Sequence, residues 1–417
     1  MKVLIVNTLE KTGGAAIAAN RLHKALIKKG LDSQMLVQKK FSGDDSVVEN
    51  EKKLINKIRP TLDSLPLQLY KKRSKTMFSP AWLPFSPSID VINKINPDIV
   101  HLHWINSGMF RIEDLKKIKA PVVWSLHDMW AFTGGCHYTE HCLGFKKKCG
   151  NCKVLNSSRR FDLSKIIFNR KMKIYSKIRT LHFVGLSKWI TKEAQSSSLI
   201  KDKAISNLPN PIDTGIFKPF DRTKARALFD LPQERQLILF GAISGTKDKR
   251  KGFDELGLAL QLIDKKDVEF VVFGSDRPKE PLTMKYKTHF VGRLEDEYSL
   301  RALYSAADVM VVPSIQEAFG QTASEALSCG VPSVAFDSTG VSDIIDHKQN
   351  GYLAKPFSVK DLADGIEWVL NHRNAKELSK NAREKVLRNF DSRLVAGKYI
   401  DLYKRILLEN DKHNSNQ

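Results

Sequence analysis

Short apolar segments of strand length alternate with amphipathic helical segments along most of the chain. In the first half, strands are predicted at Lys2–Val6, around Val37, and at Ile99–Trp104, Pro121–Leu126 and Leu181–Leu186. In the second half, strands are predicted at Gln236–Ala242, Val268–Phe273, His289–Val291, Val309–Val312 and Ser333–Phe336. This alternation favours βαβ units with parallel sheets, so the sequence predicts an α/β fold.

A turn-rich stretch, Leu208–Asp213, separates the two series of strands. With 417 residues, the chain is longer than a single hydrophobic core normally supports. We therefore predict two Rossmann-like domains, one over residues 1–207 and one over 208–390. An amphipathic helix over 391–417 is expected to pack back on the first domain.

The composition is that of an ordinary globular protein, with 42% hydrophobic and 27% charged residues. The N-terminus shows no secretion signal, and no stretch approaches the roughly 20 apolar residues of a membrane-spanning helix. The sequence thus predicts a cytoplasmic protein that is not integral to a membrane.

The net charge of +22 is concentrated in the first half of the chain. Residues 1–200 contain 35 Lys and Arg against 15 Asp and Glu, whereas the remainder contains 33 against 31. Either this is a solvated basic surface, or it faces an anionic membrane leaflet or a phosphate-bearing acceptor. No nucleic-acid-binding motif accompanies the charge, so nucleic acid is not an expected partner.

Basic and apolar residues interleave from 43 to 86, with Lys52, Lys71, Lys72, Arg73 and Lys75 among the basic ones. This segment forms either a membrane-facing surface or ordinary half-buried helices.

Two carboxylates lie eight residues apart after the predicted strand Val309–Val312. Glu317 belongs to the loop that follows the strand, and Glu325 to the helix that comes next. Gly320, between them, allows a ligand to approach the backbone, and free N–H groups at a helix start suit a pyrophosphate.

The order Pro313-Ser314, Glu317, Phe319-Gly320, Glu325 and Cys329-Gly330-Val331-Pro332 resembles the E-x7-E motif of the retaining nucleotide-sugar glycosyltransferases of family four. That family has the GT-B fold, in which two Rossmann-like domains face a cleft. The resemblance implies that residues 1–207 form the acceptor-side domain and residues 208–390 the nucleotide-sugar-binding domain. The resemblance covers nearly the whole chain, and the cysteine-rich stretch resembles a subgroup acting in bacterial surface-polysaccharide assembly, of the colanic-acid type. It implies transfer of a sugar, with retention, from a nucleotide diphosphate sugar to a hydroxyl of a glycan or lipid-linked oligosaccharide acceptor. The expected setting is exopolysaccharide, capsule or lipopolysaccharide assembly, peripherally on the inner face of the cell membrane.

The resemblance also implies roles for individual residues around the donor. Glu317 would contact sugar hydroxyls, Glu325 the ribose, and the amides around Phe319, Gly320 and Gln321 the sugar and phosphates. A carboxylate accepts hydrogen bonds from hydroxyls but repels a diphosphate, which agrees with these roles.

A diphosphate leaving group needs positive charge where negative charge develops. Lys251 matches the family lysine of a Lys-Gly pair. The family arginine usually lies about six residues earlier, where this chain has Gly245, so that either Arg250 or Lys247 takes its place. The alternative is that the loop around Lys251 is only basic and has no role at the leaving group. Because no D-x-D motif ends a predicted strand, we expect catalysis to need no metal cofactor.

In the first half, His127 follows a predicted strand and matches the family histidine that faces the donor sugar. Gly14, in a Gly-Gly loop after the first strand, would approach the donor phosphate or the acceptor through its backbone. His101 and His103 are expected on opposite faces of their strand, and neither is assigned a role.

Four of the five cysteines, Cys136, Cys142, Cys149 and Cys152, form the pattern C-x5-C-x6-C-x2-C. This spacing is typical of a structural zinc site closed by four thiolates, with His137 and His141 as spare ligands. Free thiols and disulfides are the alternatives.

Two other functions are alternatives for the whole chain, because fold alone does not fix function. One is a sugar-nucleotide epimerase or phosphorylase, and the other is a non-catalytic polysaccharide- or membrane-binding module.

Overall fold

The computed structural model describes residues 1–50, 53–241, 246, 248–275 and 285–415. Contacts divide the chain into two compact units. Unit 1 comprises Met1–Pro209 and Val395–Gln417, and unit 2 comprises Asn210–Leu394. Each unit contains one parallel sheet with helices packed against it, which confirms the predicted α/β class.

Unit 1 is built on a seven-stranded parallel sheet. Its strands are β1 (Lys2–Leu9), β2 (Asp32–Lys39), β3 (Val47–Glu49), β4 (Ile99–Leu102), β5 (Val122–Leu126), β6 (Leu181–Gly185) and β7 (Ala204–Asn207). Its first helices are α1 (Gly14–Lys28), α2 (Lys53–Ser64), α3 (Ser88–Ile95), α4 (Leu163–Tyr175) and α5 (Lys188–Ser196). The strand order is β3-β2-β1-β4-β5-β6-β7. The central strands β4 and β5 are mostly apolar and are buried throughout, as expected when helices cover both faces of a parallel sheet.

Unit 2 repeats this plan with six parallel strands. They are β8 (Gln236–Gly241), β9 (Val268–Phe273), β10 (Thr288–Gly292), β11 (Val309–Val312), β12 (Ser333–Phe336) and β13 (Gly351–Ala354). The helices are α6 (Arg222–Leu228), α7 (Phe253–Leu262), α8 (Glu297–Ala306), α9 (Gln321–Ser328), α10 (Val359–Leu370) and α11 (Ala375–Asn389). The strand order is β10-β9-β8-β11-β12-β13. In both sheets the chain first builds outward on one side and then returns to build on the other.

The last helix, α12 (Ser392–Ser415), completes the core of unit 1. Val395, Tyr399 and Tyr403 are at most 1% exposed and belong to the same hydrophobic cluster as residues of β1 and β4. The Tyr403 hydroxyl lies 2.6 Å from Nδ1 of His101 on β4. The end of the chain is thus joined to the middle of this sheet by both apolar packing and a buried polar contact.

The segment around α2, residues 53–86, exposes several apolar side chains. Leu69 is 85% and Phe85 84% exposed, and the four basic residues Lys71, Lys72, Arg73 and Lys75 are exposed as well. Lys52 lies outside the described residues. In the described part of the chain, no helix combines the length and hydrophobicity that crossing a membrane requires.

Candidate active site

The predicted donor-binding residues of unit 2 lie where its strand order reverses. β8 and β11 are neighbours in the sheet, with Ile238 paired to Val309, although the chain builds on opposite sides of them. In open α/β sheets, ligands bind outside the carboxyl ends of the strands at such a point. The turn containing Lys251 follows β8, and the loop containing Glu317 follows β11, so both reach this position.

Lys251 and Glu317 form the central ion pair of this site. Nζ of Lys251 lies 2.5 Å from Oε2 of Glu317, and the two side chains are only 19% and 17% exposed. Arg250 lies beside them, with Nη1 3.9 Å from the same carboxylate oxygen. Arg250 is itself held by the Gln316 carbonyl at 2.8 Å and by Asp248 at 2.8 Å. Two cations therefore converge on one carboxylate.

Electrostatics keep Glu317 ionised despite its limited contact with water. Burial favours the neutral acid, but the positive charges of Lys251 and Arg250 outweigh it and hold the pKa of Glu317 below its usual value. Lys247 and Gly245, the other positions considered for the second phosphate contact, lie outside the described residues. Arg250 is thus the described cation next to Lys251.

Gly252 fixes the Lys251 turn against the end of β11. Its φ of +72° is in the left-handed region, and an added Cβ would lie 1.9 Å from the carbonyl oxygen of Pro313. The Ile315 N–H also donates to the Arg250 carbonyl at 2.8 Å. Only glycine permits this approach, which explains why a glycine follows Lys251.

The start of α9 presents backbone and side-chain donors next to Glu317. Gly320 precedes the helix with φ +105°, and the first N–H groups of a helix have no partner within it. The Phe319 side chain is 2% exposed and packs on Phe390, so only the backbone of Phe319 is suited to contact a ligand. Nε2 of Gln321 is buried without a hydrogen-bond partner in the described residues. Such unpaired buried donors are rare and call for a missing partner.

Glu325 lies in α9 and is only 5% exposed. One of its carboxylate oxygens accepts a hydrogen bond from the Tyr304 hydroxyl at 2.7 Å. Tyr304 belongs to α8 and gives no motif signal in the sequence, so this contact was not predicted. The ribose role of Glu325 stays a prediction.

In unit 1, His127 directly follows β5 and contacts a second histidine. Its Nε2 lies 2.8 Å from Nδ1 of His103, and the rings of His101 and His103 are 4.3 Å apart. The expectation that His101 and His103 occupy opposite faces is therefore wrong, because residues two apart on a strand share a face. Burial lowers the pKa of His127 to about 4, despite the opposing charge of Asp128, so this imidazole is neutral near pH 7.

Asp128 and His137 form a polar pair beside His127 that the sequence did not reveal. Nδ1 of His137 lies 2.6 Å from the Asp128 carboxylate, and its Nε2 lies 2.8 Å from Oγ of Ser79. Trp104 also donates to Asp128 through Nε1 at 3.0 Å. Since both ring nitrogens of His137 are engaged, it is not a spare metal ligand.

The Gly-Gly loop of unit 1 lies at the corresponding strand end. Gly13 follows the β1 region with φ +94° and caps α1, whose first residue is Gly14. An added Cβ at Gly13 would meet no atom within 4 Å, so the backbone conformation and not space calls for glycine here. The loop after β1 thus leads directly into a helix N-terminus, a place suited to an anionic group.

Comparison with protein families identifies the chain. Residues 221–385 match the model described as glycosyl transferases group 1, and residues 12–215 match that of glycosyltransferase family 4. Together these matches span most of unit 2 and most of unit 1. The chain belongs to glycosyltransferase family 4, whose two halves these models describe.

Individual relatives support the same assignment. An uncharacterized glycosyltransferase of Methanocaldococcus jannaschii is 26% identical over 77% of this chain and 87% of its own length. The putative colanic acid biosynthesis glycosyl transferase WcaC of Escherichia coli is 24% identical over 83% of this chain and 85% of its own. The Anabaena HepE structure in complex with UDP and glucose superposes with a TM-score of 0.65 at 15% identity, covering 97% of this chain and 99% of HepE. The GT-B fold predicted from the motifs is confirmed.

Proposed function

We propose that this protein is a retaining glycosyltransferase that uses a nucleotide diphosphate sugar as donor. The acceptor is a hydroxyl of a glycan or a lipid-linked oligosaccharide, in the assembly of a bacterial surface polysaccharide. Similarity to WcaC supports the pathway, and similarity to HepE, which binds UDP and glucose, supports the donor class. The observation that carries the proposal is the Lys251–Glu317 pair at the adjoining ends of β8 and β11.

The geometry suits a donor whose diphosphate displaces the internal ion pair. Lys251 is bound to Glu317, which holds the lysine at the strand end. When a diphosphate takes Lys251, Glu317 becomes available to accept hydrogen bonds from sugar hydroxyls. The backbone at Gly320 and the unpaired Nε2 of Gln321 supply neutral donors at the start of α9. Lys251, Arg250 and these donors together match the negative charge of a diphosphate.

The proposed reaction needs no protein nucleophile. The bond between the anomeric carbon and the phosphate oxygen breaks, and a new bond forms from the acceptor oxygen on the same face of the sugar. The departing phosphate takes the acceptor proton. Lys251 stabilises the charge that develops on the leaving group, which is the largest single contribution in many enzymes. The role of His127 at the donor sugar is proposed from the family resemblance.

A nucleotide-sugar screen tests this function. UDP-, GDP-, dTDP- and ADP-sugars are added singly, and the donor that raises the melting temperature most is then incubated with candidate lipid-linked and free glycan acceptors. The expected result is transfer that depends on acceptor and gives an α-linked product from an α-linked donor. Inversion at the anomeric carbon, or turnover of the donor to an epimer without any acceptor, would contradict the proposal.

We also propose that the basic, apolar segment around α2 docks the protein on an anionic membrane that carries the acceptor. Each well-placed basic residue contributes roughly 1 kcal/mol near such a surface, and exposed Leu69 and Phe85 are available to enter the interface.

The test of membrane docking is sedimentation with anionic and neutral vesicles at low and high salt. The quadruple change of Lys71, Lys72, Arg73 and Lys75 to Ser is expected to reduce binding to anionic vesicles. The matched control changes four exposed lysines of unit 2, Lys218, Lys224, Lys266 and Lys360, to Ser. Equal binding to neutral vesicles, or equal loss in the control, would contradict docking through this segment.

A further inference from the structure

Four cysteines of unit 1 surround one small cavity. Cys136, Cys142, Cys149 and Cys152 all line it, and its volume of about 20 Å³ is close to that of a single water or ion. Cys136 and Cys152 are buried, and the other two are partly buried. We call this cluster the four-cysteine pocket. None of its residues belongs to the candidate active site.

The chain around the four-cysteine pocket has little regular structure. From Thr133 to Asp162, between β5 and α4, the only helical element is a single 3-10 turn at Gly144–Lys146. Long irregular segments of this kind are uncommon in a compact domain unless something holds them. Yet Phe145 and Val154 within it are at most 2% exposed. The segment therefore folds inward although it has little secondary structure.

A backbone N–H group is directed at one of the sulfur atoms. The Gly144 N–H donates to Sγ of Cys142 at 3.4 Å. Hydrogen bonds to coordinating atoms orient metal ligands and are a regular part of metal sites.

The turn between the last two cysteines brings both sulfurs to one side. Gly150 has φ +133° and Asn151 has φ +48°, so two consecutive residues adopt left-handed conformations between Cys149 and Cys152. An added Cβ at Gly150 would lie 2.5 Å from the Arg160 carbonyl oxygen, which excludes larger residues. A C-x2-C turn of this kind is the unit from which structural zinc sites are assembled.

A buried lysine lies next to the pocket. Lys171 of α4 is 0% exposed, and its Nζ donates to the carbonyl oxygens of Trp130 and Thr133. Four thiolates around a divalent ion carry a net charge of −2, and a buried lysine beside them offsets part of it.

We propose that the four-cysteine pocket binds a zinc ion through its four thiolates and thereby folds the segment from Thr133 to Asp162. Zinc fits because four thiolates in a tetrahedral arrangement are its usual structural ligand set. In the described residues, no three His, Cys, Asp or Glu side chains already stand in a metal-binding arrangement. Binding therefore requires the thiols to turn toward the cavity by a change of side-chain rotamer.

The test is elemental analysis of the full-length protein, purified through a tag that binds no metal. We expect about one zinc per chain, with zinc–sulfur distances of about 2.3 Å by X-ray absorption. Treatment with a strong chelator is expected to release the zinc and lower the melting temperature. Cys152→Ser is expected to lose zinc. Cys329→Ser, which changes the buried cysteine of unit 2, serves as the matched control and is expected to retain it.

Two measurements on the wild-type chain keep the test decisive if Cys152→Ser fails to fold. Titration with an organic mercurial is expected to release zinc in step with thiol modification. Metal-free protein whose five cysteines all react with a thiol reagent after denaturation would overturn the proposal in favour of free thiols. Metal-free protein with fewer reactive cysteines would overturn it in favour of disulfides. A nickel, iron or copper content in place of zinc would overturn the identity of the ion.

Discussion

Replacement of Lys251 by Ala is the sharpest test of the candidate active site. The change removes the charge that lies 2.5 Å from the Glu317 carboxylate. The Arg250 guanidinium, 3.9 Å from the same carboxylate, is then the cation left beside it. Loss of a group that stabilises the leaving group typically costs about 10²–10³ in kcat. We expect a loss of this size with the best donor from the screen, measured by nucleotide release under saturating donor. The matched control is Lys249→Ala, in the same turn, whose side chain is exposed.

The same variant has a second, pH-dependent signature. The folded-state pKa of Glu317 is below its unperturbed value of 4.5, so ionisation of Glu317 stabilises the fold above about pH 4.5. This contribution is lost as pH falls through the lowered pKa. Breaking a pair whose members are less than 20% exposed is expected to cost about 1–2 kcal/mol near pH 7, between the values typical of exposed and buried pairs. The difference between wild type and variant, from urea denaturation, should then shrink toward pH 3. Wild-type kcat in Lys251→Ala, an equal loss in Lys249→Ala, or a difference that grows at low pH would refute the reasoning.

Two further changes test the architecture that holds the sites. Tyr403→Phe leaves a buried ring nitrogen of His101 without its partner, so we expect a loss of about 1–3 kcal/mol in the free energy of unfolding. Tyr298→Phe, at a position 67% exposed, should change nothing, and equal denaturation midpoints for the two variants would contradict this role. Gly252→Ala is expected to cost at least about 1–3 kcal/mol and to reduce transfer, since it combines a left-handed φ with a clash. Gly397→Ala, where an added Cβ meets nothing, should be neutral or stabilising by up to about 1 kcal/mol, and similar melting of both variants would argue against the clash.

The sequence predicted those features that depend on local pattern. The predicted strand Val309–Val312 and its Glu317 loop appear in the structure because a fully apolar run between turn signals leaves little alternative. The strands β7 (Ala204–Asn207) and β13 (Gly351–Ala354) were not predicted as strands. Each is only four residues long, lies at an edge of its sheet, and contains no more than three consecutive apolar residues. Their strand conformation depends on a neighbour that is distant in sequence.

The contacts that orient the polar side chains could not be predicted from the sequence for the same reason. His101 and Tyr403 are separated by 302 residues, and nothing in either local sequence indicates the other. Tyr304 likewise reaches Glu325 from a different helix. The motif predicted which residues are candidates, whereas the tertiary fold determines the partners that orient them.

The placement of α12 has a consequence for the order in which the protein can fold during synthesis. Unit 2 is one uninterrupted stretch, Asn210–Leu394, so its core residues are synthesised without interruption. Unit 1 is divided, because its sheet is synthesised before unit 2 whereas Val395, Tyr399 and Tyr403 of its core are synthesised after unit 2. The core of unit 1 can therefore be completed only after unit 2 has been synthesised. Until α12 emerges from the ribosome, the apolar sheet surface that it covers stays open to chaperones.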